Sequence, residues 1–427
     1  MKKHLIPLAI ACATIAPVFA MNTAPEGYTL EKVILFSRHG IRAPLIGYGS
    51  ALAEATPHTW PTWQTEGGHL TPKGAQLEKI FAAYFDQWFD AHGLLPGKDC
   101  PADQVLIYTN SMPRTIESGT AFAESAFANC DVKVHHLEDI GKMDNTFNPI
   151  VRSTVDDAFI AKAKQSIDDM LGDGGFDALN ARLADSYTAL ENVLDYPQSV
   201  ACQEKKTCEL DDLANTLVFE QGKEPKTAGA LRNGTGAGDS FILQYYEGFP
   251  ASDIAWGKIS NADTWKKIIH IKDTYNDVLF GSPVIAKEAA TPLLTFIHNA
   301  LADHGHDHPL AQAARDAKIV LLVGHDSNVG SLLPLLKTAP YTLPGQYEKT
   351  PISGKIAFQQ WRDQNGKPLM KIEYFYQTGE QLRNATPLDE KTPPQRVTLH
   401  IDGCPTDTNG YCALEDFDKA VSAALAP

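Results

Sequence analysis

The sequence is short of positive charge and has no long apolar run after its first twenty residues, and each shortage argues against a class of protein. Lysine and arginine total 37 against 52 aspartate and glutamate residues, so the formal net charge at pH 7 is −15. A surface this acidic argues against nucleic acid or an anionic membrane as a partner. Without a second apolar run of about 20 residues, the mature chain is not predicted to cross a bilayer. An anionic ligand would therefore need a local cluster of cations.

The first twenty residues, MKKHLIPLAIACATIAPVFA, have the layout of a cleaved signal peptide. Lys2 and Lys3 precede an apolar stretch that closes on the small residue Ala20. This stretch is too short for a convincing membrane span. We predict that residues 1–20 are a signal peptide, that cleavage follows Ala20, and that the mature protein is exported.

No C-x-x-C pair occurs in the sequence, which weakens a zinc-binding interpretation of the cysteines. Cys12 would leave with the signal peptide, and six cysteines would remain. An even number of cysteines in an exported chain is typical of disulfides, although six allow fifteen connectivities. Pairing of nearest neighbours would join Cys100 to Cys130, Cys202 to Cys208, and Cys404 to Cys412.

Three segments share the order strand, polar loop, helix. The apolar runs EKVILF, DQVLIY and AKIVLLV each lead into a polar loop and then into a helix-like pattern. This is the βα unit of an α/β sheet, in which ligands bind beyond the carboxyl ends of the strands. If the three strands are parallel neighbours, their loops bring a set of polar side chains to one edge of the sheet. These side chains are Arg38, His39, Arg42, Arg114, His325 and Asp326.

The rest of the chain divides into two kinds of segment. Residues 150–260 are polar and helical, without a comparable strand, and we predict an inserted, mostly helical cap domain there. Residues 21–149 and 261–427 would form a discontinuous α/β catalytic domain, with a central mixed, largely parallel sheet flanked by helices. Within it, KIAFQQWRD and PLMKIEYFYQ predict a hairpin around QNGK, and QRVTLHIDGC predicts a further strand.

The strongest motif is Arg38-His39-Gly40-x-Arg42-x-Pro44, directly after the first strand. Two guanidiniums can donate several charge-assisted hydrogen bonds to a tetrahedral phosphate. The alternative is a cationic surface loop, but a solvated turn needs no such concentration of donors. The motif therefore indicates an anion-binding pocket.

RHGIRAP, together with the distant HD pair, resembles the histidine acid phosphatase family, the branch of the histidine phosphatase superfamily that includes bacterial phytases and glucose-1-phosphatase. The similarity extends over the mature chain and includes ILQYYEGFP, VGHDSN and EQLRNA. It is greatest to the periplasmic glucose-1-phosphatase group. In that group an asparagine follows the catalytic histidine, whereas here Gly40 follows His39, as glycine does in the phytases. The resemblance implies a periplasmic acid phosphatase and leaves glucose 1-phosphate and phytate both open as substrates.

The resemblance also implies roles for two catalytic residues. His39 would attack phosphorus and form a phosphohistidine, and nearby guanidiniums should lower its pKa and keep it neutral in mild acid. Asp326 would protonate the leaving oxygen and then deprotonate the hydrolytic water. No metal or other cofactor is expected, because fixed guanidiniums take the place of magnesium.

The remaining residues implied by the resemblance bind the substrate. Arg38, Arg42 and Arg114 would hold the phosphoryl oxygens and stabilise the charge of the transition state. His325 would donate to the same group. Glu224, in the helical segment, would contact the rest of the substrate.

Two other sequence patterns give weaker indications of a binding site. DHGHDHP contains His304, His306 and His308 and could bind a transition metal, but the sequence shows no partner cluster, and we predict a solvated loop. GTGAG at 234–238 follows no strand and lacks the phosphate-loop lysine, so we predict a loop at a helix entry.

Two alternative functions remain open at the level of sequence. A mutase could pass phosphoryl groups through the same histidine, but the signal peptide and Asp326 count against it. A non-catalytic periplasmic protein could bind sugar phosphates with the arginines alone, so the presence of both His39 and Asp326 counts against that function. The expected partner is a small phosphomonoester, and the sequence does not distinguish a monomer from a homodimer.

Overall fold

The computed structural model describes residues 24–45, 50–95, 102–128, 130–305 and 307–427. The predicted signal peptide lies outside these ranges. The strands are β1 (Thr29–Arg38), β2 (Val105–Thr109), β3 (Val134–His135), β4 (Thr216–Val218), β5 (Lys226–Ala228), β6 (Ile319–Gly324), β7 (Lys355–Arg362), β8 (Pro368–Tyr376), β9 (Gln395–Thr398) and β10 (Cys412–Ala413). The helices are α1 (Ala51–Glu54), α2 (Pro72–Ala91), α3 (Pro113–Ala126), α4 (Asp157–Leu171), α5 (Gly175–Leu194), α6 (Val200–Gln203), α7 (Ala230–Glu247), α8 (Ala262–Leu279), α9 (Pro283–Leu301), α10 (Ala311–Asp316), α11 (Asp326–Leu335), α12 (Gly379–Asn384) and α13 (Leu414–Leu425).

Within the described residues, eight strands form one mixed sheet in the order β10-β8-β7-β1-β6-β2-β3, and β9 pairs with β8. The pairs β1–β6, β6–β2 and β2–β3 are parallel. The hairpin β7–β8 attaches to the other side of β1, and its pairs are antiparallel. The mixed α/β sheet flanked by helices is therefore confirmed, but it is not largely parallel: of the strand pairs described in this sheet, three are parallel and four antiparallel, because the β7–β8 hairpin and its neighbours extend it on one side. The strand ends of β1, β6 and β2 are neighbours, as the sequence predicted.

The central strand β1 contributes to two cores, one on each face of the sheet. Ile34 and Phe36 pack with residues of α9, α11 and α13. Val33 and Leu35 pack with residues of α2 and α3 on the opposite face. A strand covered on both faces has no polar side for solvent, which explains why its sequence is a continuous apolar run.

The middle of the chain forms a third core from helices. Residues of α4, α5, α7 and α8 share one buried cluster. The segment is mostly helical as expected, but β4 and β5 form a small antiparallel sheet that the sequence analysis did not predict. The boundary at residue 260 stays a prediction, and α8, which follows it, packs in the same core as α5 and α7.

The interpretation of GTGAG as a helix-entry loop is wrong. Helix α7 begins at Ala230, so these glycines lie inside it. A Cβ added at Gly234 would lie 2.7 Å from Cγ2 of Ile271, and one at Gly236 would lie 3.1 Å from Cδ1 of Leu52. The absent side chains allow α7 to approach α8 and α1 closely.

Two predicted disulfides are confirmed, between Cys202 and Cys208 and between Cys404 and Cys412. Cys130 is also disulfide-bonded. Its predicted partner, Cys100, lies outside the described residues, so that pairing stays a prediction. Among the helices that the structure describes, none is both long and apolar enough to span a membrane.

Candidate active site

The loops that follow β1, β2 and β6 meet at one edge of the sheet. Arg38 is paired with Gly324 across β1 and β6, and the His39 amide donates to the Gly324 carbonyl at 3.0 Å. The Asn110 amide, just after β2, donates to the Val323 carbonyl at 2.9 Å. A cavity of about 370 Å³ opens above this edge. Its lining includes His39, Arg42, Arg114, Glu224, His325 and Asp326.

Two helices begin at the site and direct their first residues into it. Pro113 occupies the first turn of α3, where its missing N–H costs nothing, and Arg114 follows it. His325 caps the N-terminus of α11, and Asp326 is the first residue of that helix. Helix N-termini carry partial positive charge, so both helices favour an anion in the cavity.

His39 is buried, and its hydrogen bond fixes the tautomer of the ring. Nδ1 lies 2.8 Å from the carbonyl oxygen of Gly40, which can only accept. Nδ1 therefore carries the proton, and Nε2 keeps its lone pair. Burial, followed by Arg114 and Arg38, lowers the pKa of His39 well below its ordinary value. The ring is thus a neutral imidazole held in one orientation.

Arg38 is buried among three carboxylates. Its Nη1 donates to Oε2 of Glu348 at 3.1 Å and to the Thr350 carbonyl at 2.5 Å. Its Nη2 lies 3.2 Å from Asp326 and 3.8 Å from Asp239. Burial alone would lower the pKa of Arg38, but these carboxylates outweigh burial and raise it. Arg38 is therefore a fixed positive charge beneath the cavity, against Asp239 and Asp326, which line it.

Asp239 and Lys272 are parts of the site that sequence reasoning missed. Asp239, on α7, accepts from Nη2 of Arg42 at 2.8 Å. Lys272, on α8, is buried and donates to the same Glu348 oxygen as Arg38, at 2.5 Å. A signal for Lys272 was available, because it falls on the buried face of α8 with Ile268 and Ile269. A lysine at such a position indicates a buried partner.

His325 lies beside His39, with ring centroids 5.6 Å apart. Its Nδ1 is 3.2 Å from Nη2 of Arg114, and its Nε2 is 2.7 Å from the side-chain nitrogen of Asn110. Burial and then Arg114 lower the pKa of His325 well below its ordinary value. A neutral imidazole has one lone pair in its plane, so it can accept from only one of these two donors. A phosphate oxygen would give the other donor an acceptor.

Asp326 is paired with Arg38 and lines the cavity. Its Oδ2 is 3.2 Å from Nη2 of Arg38, and its Oδ1 accepts from the Ser327 amide at 3.1 Å. Burial raises the pKa of Asp326, but Arg38 and Lys272 outweigh burial and hold it well below its ordinary value. Without a ligand, Asp326 is therefore a carboxylate.

Glu224 lies in the cavity wall beyond these groups. Its Oε1 accepts from the Asn148 side chain at 3.2 Å. Burial, with a smaller contribution from Asp326, raises the pKa of Glu224. Arg232, an exposed residue of α7, lines the same wall and lies 5.7 Å from the centre of the Tyr275 ring. The structure thus brings every predicted site residue into or beneath one cavity.

An α/β sheet whose strand ends hold two neutral imidazoles among arginines defines a protein of the phosphoryl-transfer class. The family model of the histidine phosphatase superfamily (branch 2) matches residues 29–377, and the chain belongs to this family. The resemblance read from the RHGIRAP and HD motifs is therefore confirmed.

Curated relatives and solved structures cover nearly the whole chain. The chain is 43% identical to the glucose-1-phosphatase of Salmonella typhimurium, over 99% of this chain and 100% of that protein. It is 30% identical to phytase AppA of Escherichia coli, over 100% of this chain and 99% of that protein. The Hafnia alvei phytase in complex with myo-inositol hexakis sulphate has a TM-score of 0.87 at 31% identity, covering 95% of this chain and 99% of that chain.

The geometry of His39 leads to a spectroscopic prediction. At about pH 5 and without ligand, its ring should be neutral and protonated on Nδ1, because its pKa is lowered and the Gly40 carbonyl accepts from that nitrogen. Nitrogen-15 spectra of histidine-labelled protein measure this, and the His39→Ala variant assigns the signal. A doubly protonated His39 ring at this pH would contradict the account.

Proposed function

We propose that this protein is an exported acid phosphatase that hydrolyses phosphomonoesters through a phosphohistidine at His39. The observation that carries the proposal is the hydrogen bond from Nδ1 of His39 to the Gly40 carbonyl, 2.8 Å long. It leaves Nε2 unprotonated beside the cationic groups of the cavity. A neutral, oriented imidazole next to several guanidiniums can attack a phosphoryl group that those guanidiniums hold.

In the first step, Arg38, Arg42 and Arg114 bind the phosphoryl oxygens while His325 donates to one of them. Nε2 of His39 forms a bond to phosphorus as the bond from phosphorus to the ester oxygen breaks. Asp326 gives a proton to that oxygen, and the alcohol leaves. The guanidiniums stabilise the charge of the transition state.

The proton on Asp326 has to arrive with the substrate. The free site holds Asp326 as a carboxylate, since Arg38 and Lys272 outweigh its burial. A phosphate monoester loses its second proton at about pH 6, so below that pH it enters as a monoanion. Once bound, it can pass its proton to Asp326 and offset the cations that lowered the carboxyl pKa. This order of proton transfers explains why the enzyme should work in acid.

In the second step, water replaces the alcohol. Asp326, now a carboxylate again, removes a proton from water, whose oxygen attacks phosphorus as the bond to Nε2 breaks. Asp326 then returns the proton to the departing phosphate. The products are one alcohol and one dihydrogen phosphate, and His39 is again neutral.

We further propose that a sugar monophosphate such as glucose 1-phosphate is a better substrate than phytate. Phytate carries several phosphates and needs cations beyond those that hold the reacting group. Among the described residues lining the cavity, the other cations are Arg232 and Lys272, and Glu348 already engages Lys272. Glu224 adds a carboxylate and can accept from a sugar hydroxyl. Because one relative is a glucose-1-phosphatase and another is a phytase, both substrates should be tested.

Export to the periplasm is part of the proposal. It is supported by the predicted signal peptide and by two disulfides, which persist in an oxidising compartment. Mature protein recovered from the periplasm should begin at Met21, which N-terminal sequencing measures.

The proposed activity is tested by assay of purified protein with p-nitrophenyl phosphate, glucose 1-phosphate and phytate. Each should be hydrolysed at about pH 5, and hydrolysis should survive EDTA because guanidiniums supply the charge stabilisation. The value of kcat/KM should fall above about pH 6, where the substrate monoanion disappears. A preference for phytate would contradict the substrate assignment alone. Absence of hydrolysis of all three esters would contradict the proposed activity.

Replacement of Asp326 tests whether this residue is a general acid or only holds its loop in place. Sugar alkoxides leave poorly without a proton, whereas p-nitrophenolate leaves well. Asp326→Asn should therefore slow glucose 1-phosphate hydrolysis by about 10²–10⁴-fold, the usual contribution of a general acid, and p-nitrophenyl phosphate hydrolysis much less. Single-turnover measurements isolate the phosphorylation step, since dephosphorylation is common to both substrates. Equal losses on both, with lowered thermal stability, would show that Asp326 is structural.

A further inference from the structure

Three metal-ligating side chains converge outside the active-site cavity. Nε2 of His298 lies 2.7 Å from Oδ1 of Asp418, and Nε2 of His304 lies 3.2 Å from the same oxygen. The two imidazole rings stack with centroids 3.7 Å apart. None of the three residues lines the active-site cavity. The sequence shows no partners for the histidines of the DHGHDHP loop, but the fold supplies two for His304; His306 lies outside the described residues.

The chain builds this cluster from a helix end, a shaped loop and the C-terminal helix. His298 lies in the last turn of α9 and is nearly buried, with 7% of its side chain exposed. The loop after α9 turns back because the Asn299 side chain accepts from the His304 amide at 3.2 Å. Gly305 continues the turn at φ +72°, and its amide donates to Asp303 at 3.1 Å. Asp418 reaches the histidines from α13.

We propose that His298, His304 and Asp418 bind a divalent transition metal ion, with zinc the best match. Two imidazole nitrogens and one carboxylate oxygen are a donor set that suits zinc. Tetrahedral bonds of about 2.0–2.1 Å place ligand atoms roughly 3.3 Å apart. The separation of His304 from Asp418, 3.2 Å, matches this spacing, and the hydrogen-bonded pair of His298 and Asp418, at 2.7 Å, would have to open to admit an ion. Half-exposure of His304 and Asp418 leaves access for water as a fourth ligand.

The arrangement is more specific than a surface ion pair. Both imidazoles bring the same nitrogen, Nε2, to within 3.2 Å of one carboxylate oxygen, and the three possible ligand atoms lie within 4.8 Å of one another. In the described part of the chain, the other close group of three possible ligands is Glu209, Asp211 and Asp212, all exposed carboxylates. That group contains no nitrogen donor, and we assign it no metal.

A metal at this position would have a structural effect. It would join α9, the loop after it and α13, so binding would stabilise the folded chain against unfolding. Because none of its ligands belongs to the proposed phosphatase machinery, the reaction at His39 would not require it. The site is therefore compatible with hydrolysis that survives EDTA, and its existence can be tested apart from activity.

The experiment titrates zinc into EDTA-treated, purified full chain at neutral pH, where imidazoles can bind metal. A chromophoric chelator reports affinity, and elemental analysis after gel filtration reports stoichiometry. We expect one tight zinc equivalent and a rise in Tm on binding. Cobalt at the same site should give the visible absorption of a tetrahedral centre. Asp418→Asn and His304→Ala should weaken binding by at least about 10-fold, since loss of an outer-shell partner alone costs that much.

His270→Ala is the matched control, because His270 is an exposed histidine on α8, an element that carries none of the three proposed ligands. It should keep the tight equivalent and the Tm shift. All three variants should keep phosphatase activity, which also reports that they fold. Equal zinc affinity in the wild type, Asp418→Asn and His304→Ala, or no tight binding in the wild type, would overturn the proposal and leave a hydrogen-bonded cluster.

Discussion

The site depends on the burial of one cation, Arg38, at the end of the central strand. A buried guanidinium is tolerated only when paired, and loss of a partner from such a pair costs about 3–5 kcal/mol. Its partners come from separate parts of the chain: Glu348 precedes β7, Asp239 lies on α7, and Asp326 begins α11. Pairing of this one charge therefore ties both halves of the sheet to the helical segment, and it fixes the floor on which the phosphoryl group would rest.

The same network sets the charge of the cavity. Arg42 is engaged by Asp239, Arg38 by three carboxylates and Lys272 by Glu348, so most cations are already balanced. An incoming phosphate would compete with Asp239 and Asp326 for these guanidiniums. This competition links substrate binding to the protonation of Asp326, because a negative charge among the arginines removes the attraction that keeps its pKa low. A strongly acidic protein can in this way hold an anion-binding pocket in which Arg38, Arg42 and Lys272 are each paired with a carboxylate.

The sequence was sufficient to predict which side chains meet at the strand ends. It was insufficient to predict which residues surround them and pair with them. Arg38, His39, His325 and Asp326 could be placed together, because apolar runs mark the strands and parallel strands align their loops. Glu348 and Asp239 could not, since they lie in a loop and on a helix with no local pattern that signals a buried ion pair. The glycines of α7 were misread for a related reason, because their role is to admit Ile271 and Leu52 from other elements. The partners of His304 are likewise visible only once α9 and α13 are packed together.

The central claim is that His39 becomes covalently phosphorylated, and rapid-quench trapping tests it most directly. Wild-type protein mixed with labelled phosphomonoester and quenched within one turnover should carry label that is stable to base and lost in acid, as a phosphohistidine is. Peptide mapping should place that label on His39, and His39→Ala should form none while keeping the arginines that bind phosphate. Undiminished turnover by His39→Ala, or label on a different residue of the wild type, would contradict the account.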